Sequence, residues 1–586
     1  MDRIDSGLAS TKNDDTRSKS IAYKRREWLS ALLETGNEKV IAAYQKYEGI
    51  NPAPIEHPGT LSKIEFWMGS TSPLTAEKLS SLSNAQIAKY LINFKETEVF
   101  RKSDPTERGL AQTLEKCVKA SPQKFTDNLQ PFEYVSSFYQ SSLLHGFLKA
   151  WRNEKPFDWF ALLKFTCKIL SFEHFWSVQY KVGFNYRNWI LSTVADLIRE
   201  GTKDDKHGFD VQFLPLAEEI LLILVEKAEP SIFAPKDSSL DALSSDRGKV
   251  FSAMINYALR FARINEDKLD GCRWTQSIKA DFTKRLDRSV ELSLEFSYTL
   301  GFYLPNLLYL DEQWVVGNID RIFPQQNEDH WQAAFSGCLL SSRYPHANLY
   351  VWLKTNGHYR KALNANFADK ETQGRLVRHL CVGWIKDWET FDDETSLIYQ
   401  LINSRNPNFL SAVVHFFLRE GETLSQSSDS EKIKTYEKVK TKVRPAWRAL
   451  FKALSRNSNE VAYQRILSPL SAWVGLVDEI DKEILESVKA SIKYIDKAPG
   501  YGMTLSRVIE ALLRHVLITP QKVGKIYLAI PKSEMWYLQG VKKGDIEKTV
   551  RILYEKGHKD IADKICNRFG EAGVDFLRAV YEAYQR

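Results

Sequence analysis

Histidine and cysteine are the residues best suited to hold a metal ion or supply a nucleophile, and this 586-residue sequence has 11 histidines and 6 cysteines. His379 and Cys381 bring two such side chains closest together. On a helix, residues two apart point roughly 200° away from each other, so this pair cannot chelate one ion. No C-x-x-C pair is present, which excludes a zinc knuckle and a thioredoxin-type redox pair. The spacing predicts no metal site and indicates buried thiols in a reducing cytosol.

Motifs that would bind a nucleotide or hold a catalytic nucleophile are also missing from the sequence. It has no G-x-x-x-x-G-K-[ST] phosphate loop, no G-x-S-x-G elbow and no H-E-x-x-H zinc motif. Two acids and a lysine could form a nuclease site at Asp158, Glu173 and Lys181, but residues 172–180 do not read as a clear strand. We therefore predict no catalytic residue, no cofactor and no enzymatic activity.

Basic charge is the next feature that could do chemistry. Lys and Arg exceed Asp and Glu by 81 − 74 = 7 residues. Charges of both signs alternate along most of the chain, which is typical of solvated helix faces. The densest basic stretch forms a candidate patch at Lys434, Lys438, Lys440, Lys442 and Arg444. Phosphate binding there remains open, and with it the alternative of a helical-repeat nucleic-acid-binding protein.

A short motif occurs twice, 200 residues apart. Leucine, glycine, histidine and alanine recur at the same spacing, the first copy beginning at Leu353 and the second at Leu553. A glycine after a helix can adopt the left-handed conformation that reverses the chain, and the alanine lets the second helix pack closely. A protonated histidine could cap the carbonyls of the preceding helix. The predicted structural hairpin residues are Gly357, His358, Ala362, Gly557, His558 and Ala562.

The elements that would position these residues are helices. Apolar side chains repeat with helical period from Phe251 to Ala262, from Leu376 to Ile385 and from Leu505 to Leu517. Gly and Pro total 28 + 20 = 48 residues, about 8 % against an average near 12 %, whereas a β-rich chain would need many more turns. The nearest strand candidate is the short segment 313–317. We predict an all-α chain: an irregular α-solenoid of stacked helical hairpins, similar to TPR or HEAT repeats.

Polar, small-residue stretches indicate where the chain divides. The predicted organisation is a disordered tail at 1–20, an N-terminal helical domain at 21–235 and a central helical-repeat domain at 236–420. A flexible linker is expected at 421–431, followed by a C-terminal helical-repeat domain at 432–586. Cleavage at such a linker would release a regulatory subunit, which is a further alternative.

Aromatic residues concentrate in one region, which includes Trp151, Trp159, Trp176 and Trp189. Leucines and isoleucines accompany them, so the pattern favours a core, with a protein interface as the second interpretation and stacked nucleic-acid bases as the third. The longest aliphatic run, Ile220 to Val225, is far shorter than the roughly 20 residues of a membrane-spanning helix. The first twenty residues are polar, unlike a secretory signal. We predict a cytoplasmic protein without a membrane partner.

Several segments together resemble the C-terminal helical sensor region of large bacterial anti-phage defence proteins, in which a STAND-type ATPase or a sirtuin-like NADase precedes that region. The resemblance runs from about residue 25 onward, and its most specific element is the ending from Ile552 through Gly557, Ala562 and Cys566 to Arg578. The other matching segments are Glu65–Leu74, Arg108–Ala111, Asp158-Trp159, Ser244–Gly248, Trp331 to Gly337 and Leu349 to Ala362.

The resemblance implies an α-solenoid that recognises a phage protein or docks an effector. Because recognition residues vary in that family, it assigns none to a position of this chain. The ATPase or NADase half is missing, so the chain is expected to be a stand-alone sensor or adaptor, or the product of a split gene. The predicted function is a non-enzymatic protein-interaction subunit of a bacterial antiviral defence system. The sequence assigns no oligomeric state.

Overall fold

The computed structural model describes residues 14–55, 70–96, 104–177, 185–230, 239–265, 273–341, 345–365, 367, 369–391 and 394–585. Throughout these ranges the chain is helical, and its β-structure amounts to one isolated parallel bridge between Thr71 and Pro105. The all-α prediction is confirmed. Two compact units divide the chain, the first formed by Met1–Pro73 with Lys95–Leu110 and the second by Leu74–Phe94 with Ala111–Arg586.

The first part of the chain is built from short and medium helices. They are α1 (Asp14–Ser30), α2 (Glu38–Glu48), α3 (Ala76–Ser81), α4 (Asn84–Asn93), α5 (Glu107–Ala120), α6 (Pro122–Thr126), α7 (Ser137–Arg152), α8 (Trp159–Ser171), α9 (Glu173–Ser177), α10 (Tyr186–Thr202) and α11 (Leu214–Lys227). Within the first unit, α1 and α2 are joined by the buried Arg26, which contacts Glu48 at 3.0 Å and lies over the Tyr44 ring.

The middle of the chain continues with helices of 6 to 19 residues. They are α12 (Ser239–Ser244), α13 (Asp246–Ile264), α14 (Gln276–Arg285), α15 (Leu294–Phe302), α16 (Leu304–Leu310), α17 (Glu312–Ile322), α18 (Glu328–Ser341), α19 (Ala347–Thr355), α20 (His358–Asn364) and α21 (Lys370–Ile385).

The last part contains the longest helix, of 26 residues. Its helices are α22 (Leu397–Asn403), α23 (Pro407–Ser425), α24 (Ser430–Ser455), α25 (Val461–Leu470), α26 (Lys482–Ile492), α27 (Tyr501–His515), α28 (Pro520–Tyr527), α29 (Met535–Glu555), α30 (Lys559–Glu571) and α31 (Arg578–Ala583). Short 3₁₀ turns lie at Leu33–Thr35, Gln130–Tyr134, Val211–Phe213, Ser471–Leu476, Ile495–Lys497 and Lys532–Glu534.

The second unit is an irregular α-solenoid. One row of helices forms a continuous ladder in which each member packs on the next, in the order α7, α10, α13, α15, α18, α21, α23, α25, α27 and α29. The helices between them pair with neighbours beside this ladder, as α8 does with α11, α22 with α24 and α28 with α30. Contacts of this kind bury one apolar stripe per helix and extend the core along the chain. The predicted stripe of α13 is part of this core, with Phe251, Met254 and Ala258 fully buried.

The closest approach in the ladder is between α15 and α18. A Cβ atom on Gly301 would lie 1.8 Å from the Ala334 carbonyl oxygen, and one on Gly337 would lie 2.2 Å from the Tyr298 carbonyl oxygen. Each glycine therefore lets the other helix's backbone come near. At these two glycines the helices meet backbone to backbone, and nearby the Ser297 hydroxyl and the His330 ring are hydrogen-bonded at 2.8 Å.

A buried ion-pair network links α11, α13, α14 and the loop after α14. The guanidinium of Arg247 makes a two-pronged contact with the carboxylate of Glu291 and donates to the carbonyls of Val225 and Ala228 at the end of α11. Arg285 donates to the same carboxylate at 3.1 Å. Burial is the largest single influence and raises the pKa of Glu291, but the hydrogen bond and charge of Arg247 together with the hydrogen bonds from Ser293 outweigh it and hold the pKa below its ordinary value. The charges are therefore compensated inside the core.

Helix starts differ in how they are capped. Ser83 and Gln86 form a capping box at the start of α4. Ser121-Pro122 and Thr519-Pro520 do place proline in the first turn of α6 and α28, but neither hydroxyl caps the helix. The hydroxyl of Thr519 instead lies 3.4 Å from the carbonyl oxygen of His515 in the preceding turn.

Two predicted flexible segments are helical where the structure describes them. Residues 14–20 of the expected tail belong to α1, while residues 1–13 lie outside the described ranges. The expected linker 421–431 shrinks to residues 426–429, because Gly421 packs against Leu476 and Glu422 forms an ion pair with Arg507. Its far end is also ordered, since the Asp429 carboxylate accepts from the first amides of α24.

The nearest strand candidate, residues 313–317, lies inside α17, in agreement with the all-α prediction. The carboxylate of Asp311 accepts from the Trp314 amide at 2.9 Å and so starts a helix. Trp314, Val315 and Ile322 then fall on one buried face with helical spacing. In the part of the chain that the structure describes, every helix is too short or too polar to cross a membrane.

Candidate protein-interaction groove

Both copies of the repeated motif form tight helical hairpins. Gly357 joins α19 to α20 with φ of +78°, and Gly557 joins α29 to α30 with φ of +80°. A side chain at this φ would be strained, which accounts for glycine at both sites. Ala362 in α20 and Ala562 in the first turn of α30 are fully buried. The structure thus places the six motif residues in two equivalent turns.

The two histidines of the motif have different surroundings. His358 is completely buried, and its Nδ1 accepts a hydrogen bond of 3.1 Å from the Trp331 indole. Its ring stacks on Trp352 at 5.2 Å. Burial lowers the pKa of His358 from 6.5 to about 4, so the ring is neutral at neutral pH. The proposed role as a protonated helix cap is wrong for His358. His558 is half-buried at the start of α30 and makes no side-chain cap there.

Trp352 connects this buried hairpin to an open groove on its other side. The groove has a volume of about 450 Å³ and is walled by α16, α17 and α19. Its lining is mainly apolar and consists of Leu304, Pro305, Leu308, Tyr309, Glu312, Val315, Val316, Ile319, His346, Asn348, Leu349 and Trp352. We call it the apolar groove.

The walls of the apolar groove are held by core side chains. Leu304, Leu307 and Leu310 bury one face of α16 completely. The Trp314 indole donates to the hydroxyl of Thr283 at 2.9 Å and anchors α17. Val316, in contrast to these buried side chains, has 62 % of its surface exposed to solvent. The groove is therefore a pre-formed surface that keeps apolar side chains in water.

Two carboxylates mark the ends of the apolar stripe on α17. Glu312 and Asp320 are both exposed, and neither forms an ion pair with any residue in the described ranges. Eight residues of helix separate them, or about 12 Å along its axis. The Arg321 guanidinium, one residue further on, is bonded to the Asn318 side chain at 3.2 Å. The apolar stripe thus lies between two carboxylates that form no ion pair within the described ranges.

The predicted basic patch lies along α24, and each of its five cations has a carboxylate partner. Lys438 and Lys442 contact Asp387 at 2.6 and 2.8 Å. The other three cations form four pairs: Lys440 with Glu437 and Asp478, Arg444 with Asp481, and Lys434 with Glu431. The contacts with Asp387, Asp478 and Asp481 fasten α24 to the segments on either side of it, whereas those with Glu431 and Glu437 lie within the helix. They leave little free positive charge for a phosphate.

Asp387 combines this pairing with an unusual backbone. Its φ is +61°, a left-handed conformation at the end of α21 where glycine is common. The hydrogen bonds from Lys438 and then Lys442 lower the pKa of its carboxyl. A charged residue thus occupies a turn position that favours glycine, and its carboxylate holds the neighbouring long helix.

The other residues singled out from the sequence have structural positions. Trp151 and Trp159 are buried in the core, whereas Trp189 is partly exposed. Asp158 caps α8 by accepting from the Ala161 amide at 3.1 Å, while Lys181 lies outside the described residues. His379 and Cys381 are both buried. Across the described ranges no cluster of three His, Cys, Asp or Glu could hold a metal ion.

Sequence reasoning did not find the apolar groove. Its three walls come from separate stretches of the chain, and the nearest signal was Val316, an apolar residue outside the buried stripe of α17. An apolar residue in such a position indicates a groove only when the residues of the opposite wall are known.

Comparisons with known proteins give a likeness among solved structures, whereas no family model and no curated protein matches the sequence. Among solved structures, a crystal structure of importin beta in an ammonium sulfate condition is similar, with 12 % sequence identity and a TM-score of 0.23. The match covers 87 % of this chain and 65 % of that chain.

Proposed function

We propose that this protein is an interaction scaffold that binds a segment of a partner protein in the apolar groove. The apolar face of α17 that lines the groove opposite α16 and α19, with Val316 exposed and Ile319 half-buried, is the observation that carries this proposal. Water-exposed apolar surface of this kind is costly for a monomer unless something covers it, and concave apolar sites are where ligands and partners bind.

The rigidity of the groove supports the same function. Its wall residue Trp352 is held from behind by the fully buried His358, and Val315 is itself buried in the core. A surface that is already in place loses little conformational entropy when a partner binds. The groove is therefore suited to recognition rather than to a conformational change of its own walls.

The biological setting that we propose is bacterial antiviral defence. Its support is the resemblance of segments such as Trp331 to Gly337 and Ile552 to Arg578 to the sensor region of anti-phage proteins. In that setting the chain acts as a non-enzymatic sensor or adaptor in the cytoplasm, and the partner is an effector subunit or a phage protein. A nucleic-acid partner has less support, because the cations of the α24 patch are paired with carboxylates.

Photo-crosslinking tests this proposal directly. A photoreactive amino acid replaces Val316 in the groove or, as a control, Val461, which is 55 % exposed on α25. Crosslinking is carried out in bacteria with and without phage infection. We expect a discrete covalent adduct from position 316 that Leu349→Glu abolishes, and none from position 461. Equal adducts from both positions, or none from position 316 in either condition, would overturn the proposal.

A further inference from the structure

We infer that the occupant of the apolar groove is an amphipathic α-helix whose apolar face is flanked at both ends by basic side chains. This inference rests on the proposed function and adds to it the chemistry of the partner. It is drawn from the spacing of apolar and charged residues on the groove walls.

The first argument is the shape and period of the lining. On α17 the groove is lined by Glu312, Val315, Val316 and Ile319, which follow helical spacing. Leu349 and Trp352 give α19 a matching pair one turn apart. Two facing helices with such ridges form a trough into which the i, i+3, i+4 and i+7 side chains of a third helix fit. An extended strand would instead need unpaired backbone groups along the wall, which helices do not offer.

The second argument is charge. Glu312 and Asp320 are unpaired, whereas carboxylates on neighbouring elements are not: Asp311 contacts Lys279 at 2.7 Å and Glu328 contacts Lys361 at 2.9 Å. Two free carboxylates at the ends of an apolar stripe attract Lys or Arg on an occupant and repel Asp or Glu.

Cations that could neutralise these carboxylates are engaged elsewhere. Arg273 lies over the Tyr309 ring at 4.9 Å and donates to the Tyr309 carbonyl at 2.7 Å. Lys354 on α19 is paired with the buried Glu389 at 2.9 Å. The Arg321 guanidinium beside Asp320 is bonded to the Asn318 side chain at 3.2 Å. Among the described residues no cation pairs with Glu312 or Asp320, and we therefore expect the occupant to supply these positive charges. Their expected separation is about 12 Å, which is two turns of a helix lying along α17.

Fluorescence anisotropy with three synthetic peptides tests this inference on the full chain. Each peptide is an amphipathic helix of about 16 residues, or ~24 Å. All three share one apolar face and differ in the two flanking residues, which are Lys, Gln or Glu. The proteins are wild type, E312Q/D320N, V316E, and the control E34Q/E38Q, which removes the same charge from residues outside the groove.

We expect the Lys-flanked peptide to bind wild type about tenfold more tightly than the Glu-flanked one, with the Gln peptide between them, since each exposed ion pair contributes a few-fold. E312Q/D320N should remove this preference, while E34Q/E38Q keeps it and V316E weakens all three peptides. Equal binding of the three peptides to wild type, or no binding of any, overturns the basic-helix inference. The groove itself is tested separately, since adduct formation at position 316 does not depend on these peptides.

Discussion

The indole N–H of Trp331 on α18 donates a hydrogen bond of 3.1 Å to Nδ1 of His358 at the start of α20. This bond fixes the imidazole as the neutral tautomer that carries its proton on Nε2. The ring is fully buried and stacked on Trp352. A hairpin motif visible in the sequence thereby supports one wall of the apolar groove from behind.

Acid should destabilise the fold through His358. The pKa of this group is about 4 in the folded chain and 6.5 as a free side chain, because burial disfavours the charged ring. Its stabilising effect is therefore complete above pH 6.5 and is lost as the pH falls toward 4, at up to about 1.4 kcal/mol per pH unit. Urea unfolding at pH 7.0 and 5.0 measures this loss.

The variant His358→Gln isolates the contribution of the ring. It should be less stable than wild type at pH 7 by about 1–3 kcal/mol, because the stacking and the indole partner are impaired. Its stability should fall less steeply between pH 7 and 5. Some pH dependence should remain, because the variant still contains His330, whose pKa burial also lowers to about 4. An identical pH slope for wild type and variant would show that His358 does not titrate in this way.

Two alanine substitutions at glycines should have opposite effects. Gly337→Ala would place a methyl group 2.2 Å from a carbonyl oxygen of α15, so we expect a loss of about 1–3 kcal/mol or more. Gly317→Ala on α17 meets nothing within 4 Å and should stabilise the helix by about 0.5–1 kcal/mol. Thermal melts of both variants provide the comparison. Similar effects of the two substitutions would contradict the close packing of α15 and α18.

Arg247→Met should cost about 3–5 kcal/mol because it leaves part of the buried Glu291 charge uncompensated. The double variant Arg247→Met/Glu291→Gln should recover some of that loss, since the buried charge is then removed. Denaturant unfolding of the single and double variants gives the coupling between them. Strictly additive effects would mean that the two side chains do not act as a pair.

Substitutions at Asp387 compare two contributions to stability, the cost of its left-handed backbone and the gain from its ion pairs. Asp387→Ala loses both lysine contacts and keeps a left-handed residue with a side chain, so we expect a loss of about 1–2 kcal/mol. Asp387→Gly should be nearly neutral, because relief of the left-handed strain offsets the lost pairs. Chemical denaturation distinguishes the two. If glycine destabilises as much as alanine, the strain at this turn is negligible.

Limited proteolysis should cut first within residues 426–429, the short connection between α23 and α24. Its residues Gln426, Ser428 and Asp429 are exposed, while both flanking helices are packed. A protease of broad specificity should give two fragments, to be identified by mass spectrometry. A first cut inside Tyr501–His515, which is a buried helix, would contradict this local order.

Local features of the fold were predictable from the sequence, and long-range partners were not. The stripe around Phe251 predicted a helix and its buried face, because helical period and burial are properties of neighbouring residues. The linker at 421–431 was overestimated, since polar small residues look alike at an exposed helix end and in a loop. Nothing near Arg247 or Asp387 indicates Glu291 or Lys438, which lie more than forty residues away in the chain.

The ladder from α7 to α29 has a consequence for how such a chain can evolve. We call each ladder helix, together with the helices and turns packed beside it, a rung. Contacts run chiefly within a rung and to the rungs before and after it. Duplicating or deleting one whole rung would therefore leave most other contacts intact, since the stability of such a stack is close to a sum of nearest-neighbour terms. The recognition surface can be lengthened, shortened or re-spaced by adding or losing rungs, without redesign of a single shared core.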